Sequence, residues 1–309
     1  MKDFLPEGHS GTRFRDCTSF SISRLEQAAA KNILLEAPVL LCDNEMNLHL
    51  ALGEAKGIIP KEEVYFSPKG EAPKDIAILT RVGKSVCFYV RELVKKDGVV
   101  IAILSRKAAQ RDCYEKYISR LRAGDVIDAK VTHLESFGAF LDVGCGIVSL
   151  LPIDAISVSR ISHPALRFTV GDECKVIVKS KDEAGRIYVT RKELLGTWEQ
   201  NASLFGAGQT VAGTVRGIEP YGIFVELTPN LTGLSELKEG IKENETVSVF
   251  IKSILPDRMK IKLVIIDFCS GLPTPKPRCP FTFQTASHID KWCYSPEASS
   301  KRIETVFCD

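Results

Sequence analysis

Two phenylalanines lie three residues apart in a short stretch that is rich in glycine. The stretch reads HLESFGAFLDVGCGIVSLLP over residues 133–152 and contains Phe137 and Phe140. Apolar and polar residues alternate here, and Phe140 has the same parity as Asp142, which predicts that Phe140 lies on the polar side of a strand. An exposed aromatic ring beside a glycine offers a surface on which a nucleobase can stack.

A second stretch repeats this arrangement. Tyr221 and Phe224 have the same spacing, and Phe224 shares its parity with Glu226. The alternative interpretation is structural: such rings can also plug the end of a barrel or pack on a neighbouring helix.

Charged residues are predicted on the same outward side as these aromatics. Arg186 is the outward cation of a later strand, and Asp182 lies four residues earlier in a turn. A cation suits a phosphate, and a carboxylate suits a ribose hydroxyl or the orientation of the arginine. Further on, Lys260 takes the position of Arg186, and Lys252 and Lys262 also point outward. Each of these charges is also compatible with an ordinary solvated surface.

The chain contains an internal repeat that explains why the pattern occurs twice. The distances from Ser105 to Thr190, from Gly124 to Gly208 and from Phe140 to Phe224 are 85, 84 and 84 residues. A repeat of this length is too long for a solenoid and indicates duplicated small domains.

Each copy of the repeat has the pattern of short strands. Residues 124–193 hold five stretches with period-two alternation, separated by turn signals and by a small irregular insert between the third and fourth stretches. Five short strands in about 70 residues are typical of a Greek-key barrel of the oligonucleotide-binding (OB) type. Between the copies the apolar period becomes helical. The predicted fold is therefore mostly β, with tandem five-stranded OB barrels joined by short α-helices.

The same skeleton, in weaker form, precedes these two copies. Gly57-Ile58-Ile59-Pro60 mirrors Ser149-Leu150-Leu151-Pro152, and Ser105-Arg106-Lys107 mirrors Thr190-Arg191-Lys192. The predicted organisation begins with an N-terminal segment (1–33) that contains a helix over 22–33, followed by a divergent barrel (34–107) and a connector helix (108–123). A clear barrel (124–193), a second connector helix (194–205), a shortened barrel (206–267) and an irregular tail (268–309) complete the chain.

Composition indicates an ordinary soluble protein. The net charge is only +2, although residues 106–122 carry six basic and two acidic residues. The ten cysteines are scattered singly and no export signal or membrane span is evident, so we expect reduced thiols and a cytoplasmic location without membrane contact.

Candidate catalytic and cofactor motifs are missing from the sequence. No HxxxH, CxxC or GxxxxGK[ST] pattern occurs, which predicts no enzyme activity, no cofactor, no metal site and no small-molecule substrate. Cysteines of the tail together with His288 have spacings that match no zinc finger. Arg160, His163 and Arg167, in the insert, are compatible either with phosphate contacts or with an ordinary surface loop.

The stretch GDVIDAKVTHLESFGAFLDVGCGIVSLLP together with VGDECKVIVKSKDEAGRIYVTRK resembles the S1 domain, the RNA-binding repeat of the small-subunit ribosomal protein one and its short bacterial relatives. The resemblance is strong for residues 124–193, good for 206–267 and weak for about 34–107. It implies an RNA-binding role for the residues that match the family's aromatic, acidic and basic positions. These are Phe137, Phe140, Asp182 and Arg186, and then Tyr221, Phe224, Lys260 and Lys252.

This chain also departs from the family pattern. Pro152 takes the place of the family's histidine, and Pro256 that of the aspartate in the last module. The first module has Met46 and His49 near the aromatic positions and Ile101 near the arginine. We therefore expect the first module to contact protein and to bind RNA weakly.

The resemblance implies non-catalytic binding of single-stranded RNA, in particular mRNA, with the small ribosomal subunit as a partner. An accessory module that delivers RNA to a degradation or transcription complex is the alternative. A third possibility is a set of barrels used only for protein contact.

Overall fold

The structure is a computed structural model and describes residues 4–10, 20–68, 70, 74–183, 185–268 and 286–307. Three five-stranded sheets each close into a barrel, so the predicted fold class is confirmed. The first barrel consists of β1 Leu35–Cys42, β2 Leu48–Leu52, β3 Ala55–Ile59, β4 Ser85–Lys96 and β5 Val99–Ser105. None of the helices in the described residues is long and apolar enough to cross a bilayer.

The other two barrels repeat this topology. The second consists of β6 Val126–Glu135, β7 Gly138–Asp142, β8 Val148–Pro152, β9 Glu173–Lys181 and β10 Ile187–Thr190. The third consists of β11 Thr210–Glu219, β12 Gly222–Thr228, β13 Leu231–Ser235, β14 Thr246–Leu255 and β15 Lys260–Phe268. In each barrel the third and fifth strands pair in parallel and the other pairs are antiparallel.

Period-two alternation builds the barrel interiors. Ile127, Ala129 and Val131 of β6 are buried together with Ala139 and Leu141 of β7. Burial of an aliphatic side chain such as valine or leucine contributes roughly 1.5–3 kcal/mol. Because alternate side chains fill the interior, the residues between them point outward to solvent or to a neighbouring element.

The four α-helices of the described residues are short, and three of them begin at a residue whose side chain caps the first turn. They are α1 Ile22–Lys31, α2 Asp75–Leu79, α3 Arg106–Lys116 and α4 Trp198–Ala202, with 3-10 turns at Lys61–Glu63, Ile118–Arg120, Ile153–Ala155, Pro164–Leu166, Lys192–Leu195 and Pro256–Arg258. The Ser105 hydroxyl accepts the N–H of Ala108 at the start of α3. Thr197 and Gln200 form a capping box at α4.

Both connector helices are shorter than predicted. Helix α3 ends at Lys116, and the next residue, Tyr117, leaves the helical region with φ −124° and ψ −65°. In the second connector, Gly196 has φ 85° and separates a 3-10 turn from α4. Only glycine adopts such a conformation without strain, so the helix is interrupted there.

An N-terminal segment, residues 4–10, lies between the first two barrels. Glu7 accepts two hydrogen bonds from the buried guanidinium of Arg106, at 2.7 and 2.9 Å, and its N–H donates to Asp142 at 2.8 Å. Asp142 is therefore buried and caps the N–H groups of Gly144 and Gly146. The sequence placed Asp142 on a solvated face, but a distant segment covers its position on the outside of the barrel.

A buried ion-pair cluster joins the second and third barrels. Glu226 of β12 accepts from Arg216 of β11 at 2.9 Å and also from Arg167, which lies in the insert of the second barrel. The side chains of all three residues are at least 94% buried. Arg167 is therefore a junction residue, which corrects both sequence interpretations of it, as a phosphate contact and as a surface residue.

The C-terminal tail, which was expected to be an irregular or loosely docked extension, is docked where the structure describes it. Strands β16 Lys291–Cys293 and β17 Glu304–Val306 form a two-stranded sheet. Trp292 and Tyr294 pack in the core of the third barrel, and Phe307 packs on Ile177 and Leu194. Three tail cysteines, Cys269, Cys279 and Cys308, lie outside the described residues. The apolar residues of the docked tail occur singly or in runs of two or three, which are too short to show a period, so this docking was not readable from the sequence.

Glu226→Gln is expected to destabilise the third barrel by about 3–5 kcal/mol, because it leaves the guanidinium groups of Arg167 and Arg216 buried without an anion. The measurement is urea unfolding followed by intrinsic fluorescence. Both tryptophans, Trp198 and Trp292, are buried in the third-barrel core, so the signal reports this barrel.

The matched control is Asp257→Asn, which breaks the exposed Arg258–Asp257 pair in the same barrel. An exposed pair contributes about 0–1 kcal/mol. Equal shifts of the unfolding midpoint for the two variants would contradict a structural role of the buried cluster.

A second prediction concerns how the tail docks on the second barrel. His288 Nδ1 lies 2.7 Å from Asp125 Oδ1, and its Nε2 lies 3.2 Å from Asp290 Oδ1. The hydrogen bond to Asp125 raises the pKa of His288 above 6.5. A raised folded-state pKa means that the stabilisation is present below the unfolded-state value and is lost as the pH rises through the folded-state value.

NMR titration of the His288 ring measures this pKa. Asp125→Asn is expected to lower it, and Asp290→Asn, which removes the longer contact, to lower it less. An unchanged His288 pKa in Asp125→Asn would show that the tail does not dock through this pair.

Candidate nucleic-acid interface

The first aromatic pair sits on the hairpin between β6 and β7. The ring centroids of Phe137 and Phe140 are 6.0 Å apart and the rings are nearly perpendicular, at 88°. Phe137 is 54% exposed and Phe140 is half-buried. The two rings therefore form an open aromatic corner, and the exposure of Phe137 argues against the barrel-plug alternative.

The third barrel carries the same corner. Tyr221 and Phe224 have ring centroids 6.1 Å apart at 88°, and Tyr221 is 68% exposed. Two barrels that differ in sequence thus present one geometry at one position of the fold. Perpendicular rings leave the face of one ring free for a planar ligand while the edge of the other supports it.

The glycine between the two aromatic residues is needed for strand packing, and not, as expected, to open the stacking surface. A Cβ on Gly138 would lie 2.5 Å from the carbonyl oxygen of Leu151, and one on Gly222 would lie 2.5 Å from that of Ser235. The hairpin can approach the third strand of its barrel only because these residues have no side chain. The glycine therefore serves strand packing, and the space it leaves faces the protein.

Strand register defines the full surface around the first pair. His133, Phe140, Leu150, Tyr188 and Ser180 are successive partners on β6, β7, β8, β10 and β9. The His133 ring stacks on Phe140 with centroids 6.3 Å apart and an angle of 26°. This surface, here called the second-barrel face, thus includes His133 and Tyr188 in addition to the predicted residues.

A β-bulge explains why His133 is missing from the predicted site. The pairing of β6 with β7 shifts between Val131 and His133, so Thr132 is the extra residue that has no register partner on β7. Strict alternation assigns His133 to the interior, and the extra residue returns it to the outside. Tyr188 has the same parity as Arg186, which is a signal that the sequence does contain.

The predicted cation and carboxylate of the second barrel lie together. Arg186 Nε donates to Asp182 Oδ2 at 2.7 Å, and the Arg186 N–H donates to Asp182 Oδ1 at 2.8 Å. The hydrogen bond that Arg186 donates to Asp182 raises the pKa of Arg186, whose side chain remains 73% exposed. Asp182 thus holds the turn and orients the guanidinium, two residues from Tyr188 on the second-barrel face.

The third-barrel face follows the same register. Phe224, Leu234 and Lys262 are successive partners, so Lys262 stands where Tyr188 stands and Lys260 stands where Arg186 stands. Lys252 is the extra residue of a bulge between Ile251 and Ser253. Asp182 has its counterpart in Pro256, so this face presents lysines without that carboxylate.

The corresponding face of the first barrel is apolar. Leu41, His49, Ile58 and Ile103 are successive partners, and Ile101 takes the position of Arg186. His49 replaces the aromatic and pairs with Asp43 at 2.9 Å, which lowers the pKa of Asp43 to about 2. The stacking rings and the exposed cation are both replaced here.

The second barrel is similar in sequence to a known family of domains. Residues 120–192 match the family model described as the S1 RNA binding domain, so the predicted resemblance is confirmed. The small ribosomal subunit protein bS1 of Leuconostoc lactis is 35% identical over 171 residues, which cover 53% of this chain and 39% of that protein.

Two further relatives match at similar levels. The bS1 protein of Staphylococcus aureus strain COL is 31% identical and covers 57% of this chain and 52% of its own length. The bS1 homolog of Bacillus subtilis strain 168 is 32% identical and covers 59% of this chain and 51% of its own length. The chain therefore spans about half the length, or less, of the curated relatives it matches.

Proposed function

Because this chain is similar to the small ribosomal subunit protein bS1 and contains a match to the S1 RNA binding domain, we propose that it is a non-catalytic binder of single-stranded RNA. One observation carries the proposal: the same perpendicular aromatic pair occurs at the same register position on two barrels, and Arg186 and Lys260 take matching positions on the fifth strand of each. Two matching arrangements of this kind in one chain favour a shared ligand over a packing role.

In this proposal, nucleobases stack on Phe137 and Phe140 and on Tyr221 and Phe224. Stacking on an aromatic side chain contributes about 1–3 kcal/mol per base. Because every base has a π-face, stacking discriminates little between sequences, so we expect weak sequence preference.

Phosphates and ribose contact the charged residues. Arg186 has a permanent positive charge that can contact RNA phosphates, and Lys252 and Lys260 provide positive charge on the third-barrel face. Asp182 orients Arg186 and has a carboxylate suited to a ribose 2′-hydroxyl. The net charge of only +2 means that affinity depends on these local cations.

We further propose that the RNA is mRNA and that the protein acts in translation on the small ribosomal subunit in the cytoplasm. The names of the relatives support this setting. An accessory role in RNA degradation or transcription is the alternative, and copurification with ribosomal subunits or with a nuclease or polymerase distinguishes the two. The apolar face of the first barrel suits a protein partner better than RNA.

The double variant Phe140→Ala, Phe224→Ala is expected to lose about 2 kcal/mol or more of RNA affinity, because each substitution removes a stacking ring. The measurement is fluorescence anisotropy with a labelled unstructured RNA of about a dozen nucleotides. Wild-type affinity is expected to fall as salt concentration rises, because phosphate contacts release counterions.

His49→Ala is the matched control, because His49 holds the position of Phe140 in the first barrel. It is expected to leave RNA affinity unchanged. If the double variant and the wild type bind alike, the aromatic pairs are structural and the proposed function is wrong.

A further inference from the structure

A cavity of about 330 Å³ lies between the first and second barrels, directly beside the second-barrel face. Its aromatic walls come from Tyr65 and Phe66, which follow a turn of the first barrel, and from Tyr114 of α3. Val148 of β8 and Arg186 complete the side toward the second-barrel face. We infer that this cavity is a nucleobase subsite, which continues the RNA path from the second barrel toward the first; the inference rests on the proposed function.

Hydrogen bonds connect the walls of the cavity to the first barrel, to α3 and to the second barrel, so the junction between the barrels fixes their positions. The Gln110 side chain of α3 accepts the N–H of Phe66 at 3.0 Å and donates to the carbonyl of Cys145 at 3.0 Å. Arg106 donates to the carbonyl of Val64 at 3.0 Å. Because Gln110 and Arg106 are both buried, the segment that carries Tyr65 and Phe66 is tied to α3 and to the second barrel.

The chemistry of the walls fits a planar aromatic ligand. The rings of Phe66 and Tyr114 are 5.8 Å apart and tilted by 51°, and Tyr65 is 41% exposed toward solvent. None of the described residues that line the cavity is acidic, and Arg186 supplies a positive charge at its edge. A volume of this size lies at the lower end of the roughly 300–1,000 Å³ typical of small-ligand sites, which suits a single base with its sugar.

Continuity with the second-barrel face identifies the occupant as RNA. Val148, which is 49% exposed, and Leu150 point to the same side of β8, about 7 Å apart along the strand. Arg186 belongs to both surfaces, since it lines the cavity and stands two residues from Tyr188. A strand of RNA whose phosphate contacts Arg186 therefore has an aromatic surface on each side of that contact.

The helix between the barrels also positions the arginine. A Cβ on Gly185 would lie 2.1 Å from the Tyr114 hydroxyl oxygen, so the Asp182–Arg186 turn packs closely against that ring. Tyr114 thus supports the turn that presents Arg186 as well as forming a wall of the cavity. Among the described hydrogen bonds and ring contacts, none joins Tyr65 to Arg186 or to the aromatic pair. Substitution of Tyr65 therefore tests the cavity more specifically than substitution of Tyr114.

The test measures binding of the full chain to the labelled dozen-nucleotide RNA. Tyr65→Ala is expected to weaken binding about tenfold, which corresponds to the loss of one stacked base. Tyr65→Phe, which keeps the ring, is expected to bind like the wild type.

Ile76→Ala is the matched control, because Ile76 is an exposed apolar residue of the first barrel that does not line the cavity. A second measurement uses the same RNA with 4-thiouridine and maps photocrosslinks by mass spectrometry. Crosslinks at residues 65–68 or Tyr114 are the expected result.

The outcomes separate this inference from the proposed function. If the wild type binds RNA and the Phe140→Ala, Phe224→Ala variant binds weakly, while Tyr65→Ala binds like the wild type and no crosslink maps to the cavity, the subsite is wrong and the proposed function stands. If the wild type binds no RNA, both are wrong.

Discussion

Closure of each five-stranded sheet into a barrel is the constraint on which the surfaces of this protein depend. A closed barrel has an interior filled by alternate side chains, so the remaining residues form rows around the outside. Register then decides which residues of different strands are neighbours. His133, Phe140, Leu150 and Tyr188 come from four strands and form one row only because the sheet is closed in this register.

One scaffold carries three different faces in this chain. The second barrel presents two phenylalanines and an arginine, the third presents a tyrosine, a phenylalanine and lysines, and the first presents aliphatic residues and His49 at the same positions. The interior pattern is kept in all three barrels. Outward positions accept these changes because they contribute little to the core, so the function of a barrel has to be argued from its surface.

The junctions between the barrels are built from buried charge. Glu7 with Arg106 joins the first two barrels, and Glu226 with Arg167 and Arg216 joins the last two. Desolvation offsets much of the attraction in such clusters, but an unpaired member is costly, so they disfavour other arrangements of the barrels. The junction of the first two barrels also shapes the cavity beside Arg186, since Arg106 and Gln110 of α3 hold its walls.

Local pattern by itself determined the barrels, the repeat and most of the candidate site. Period-two alternation sets which side chains fill a barrel, and the offset of 84 residues aligns Phe140 with Phe224. These features depend on neighbours within a few residues, so they can be read along the chain. Arg186 and Lys260 are only 74 residues apart, because the connection between the third and fourth strands is shorter in the third barrel, and the strand register places them at equivalent positions.

Tertiary structure alone decided what covers each outward position. Asp142 and Glu226 have outward parity, yet the N-terminal segment buries the first and the insert of the second barrel buries the second. A bulge at Thr132 turned His133 outward, and residues 286–307 docked through side chains that show no period. These outcomes depend on contacts between residues far apart in sequence, for which local alternation contains no signal.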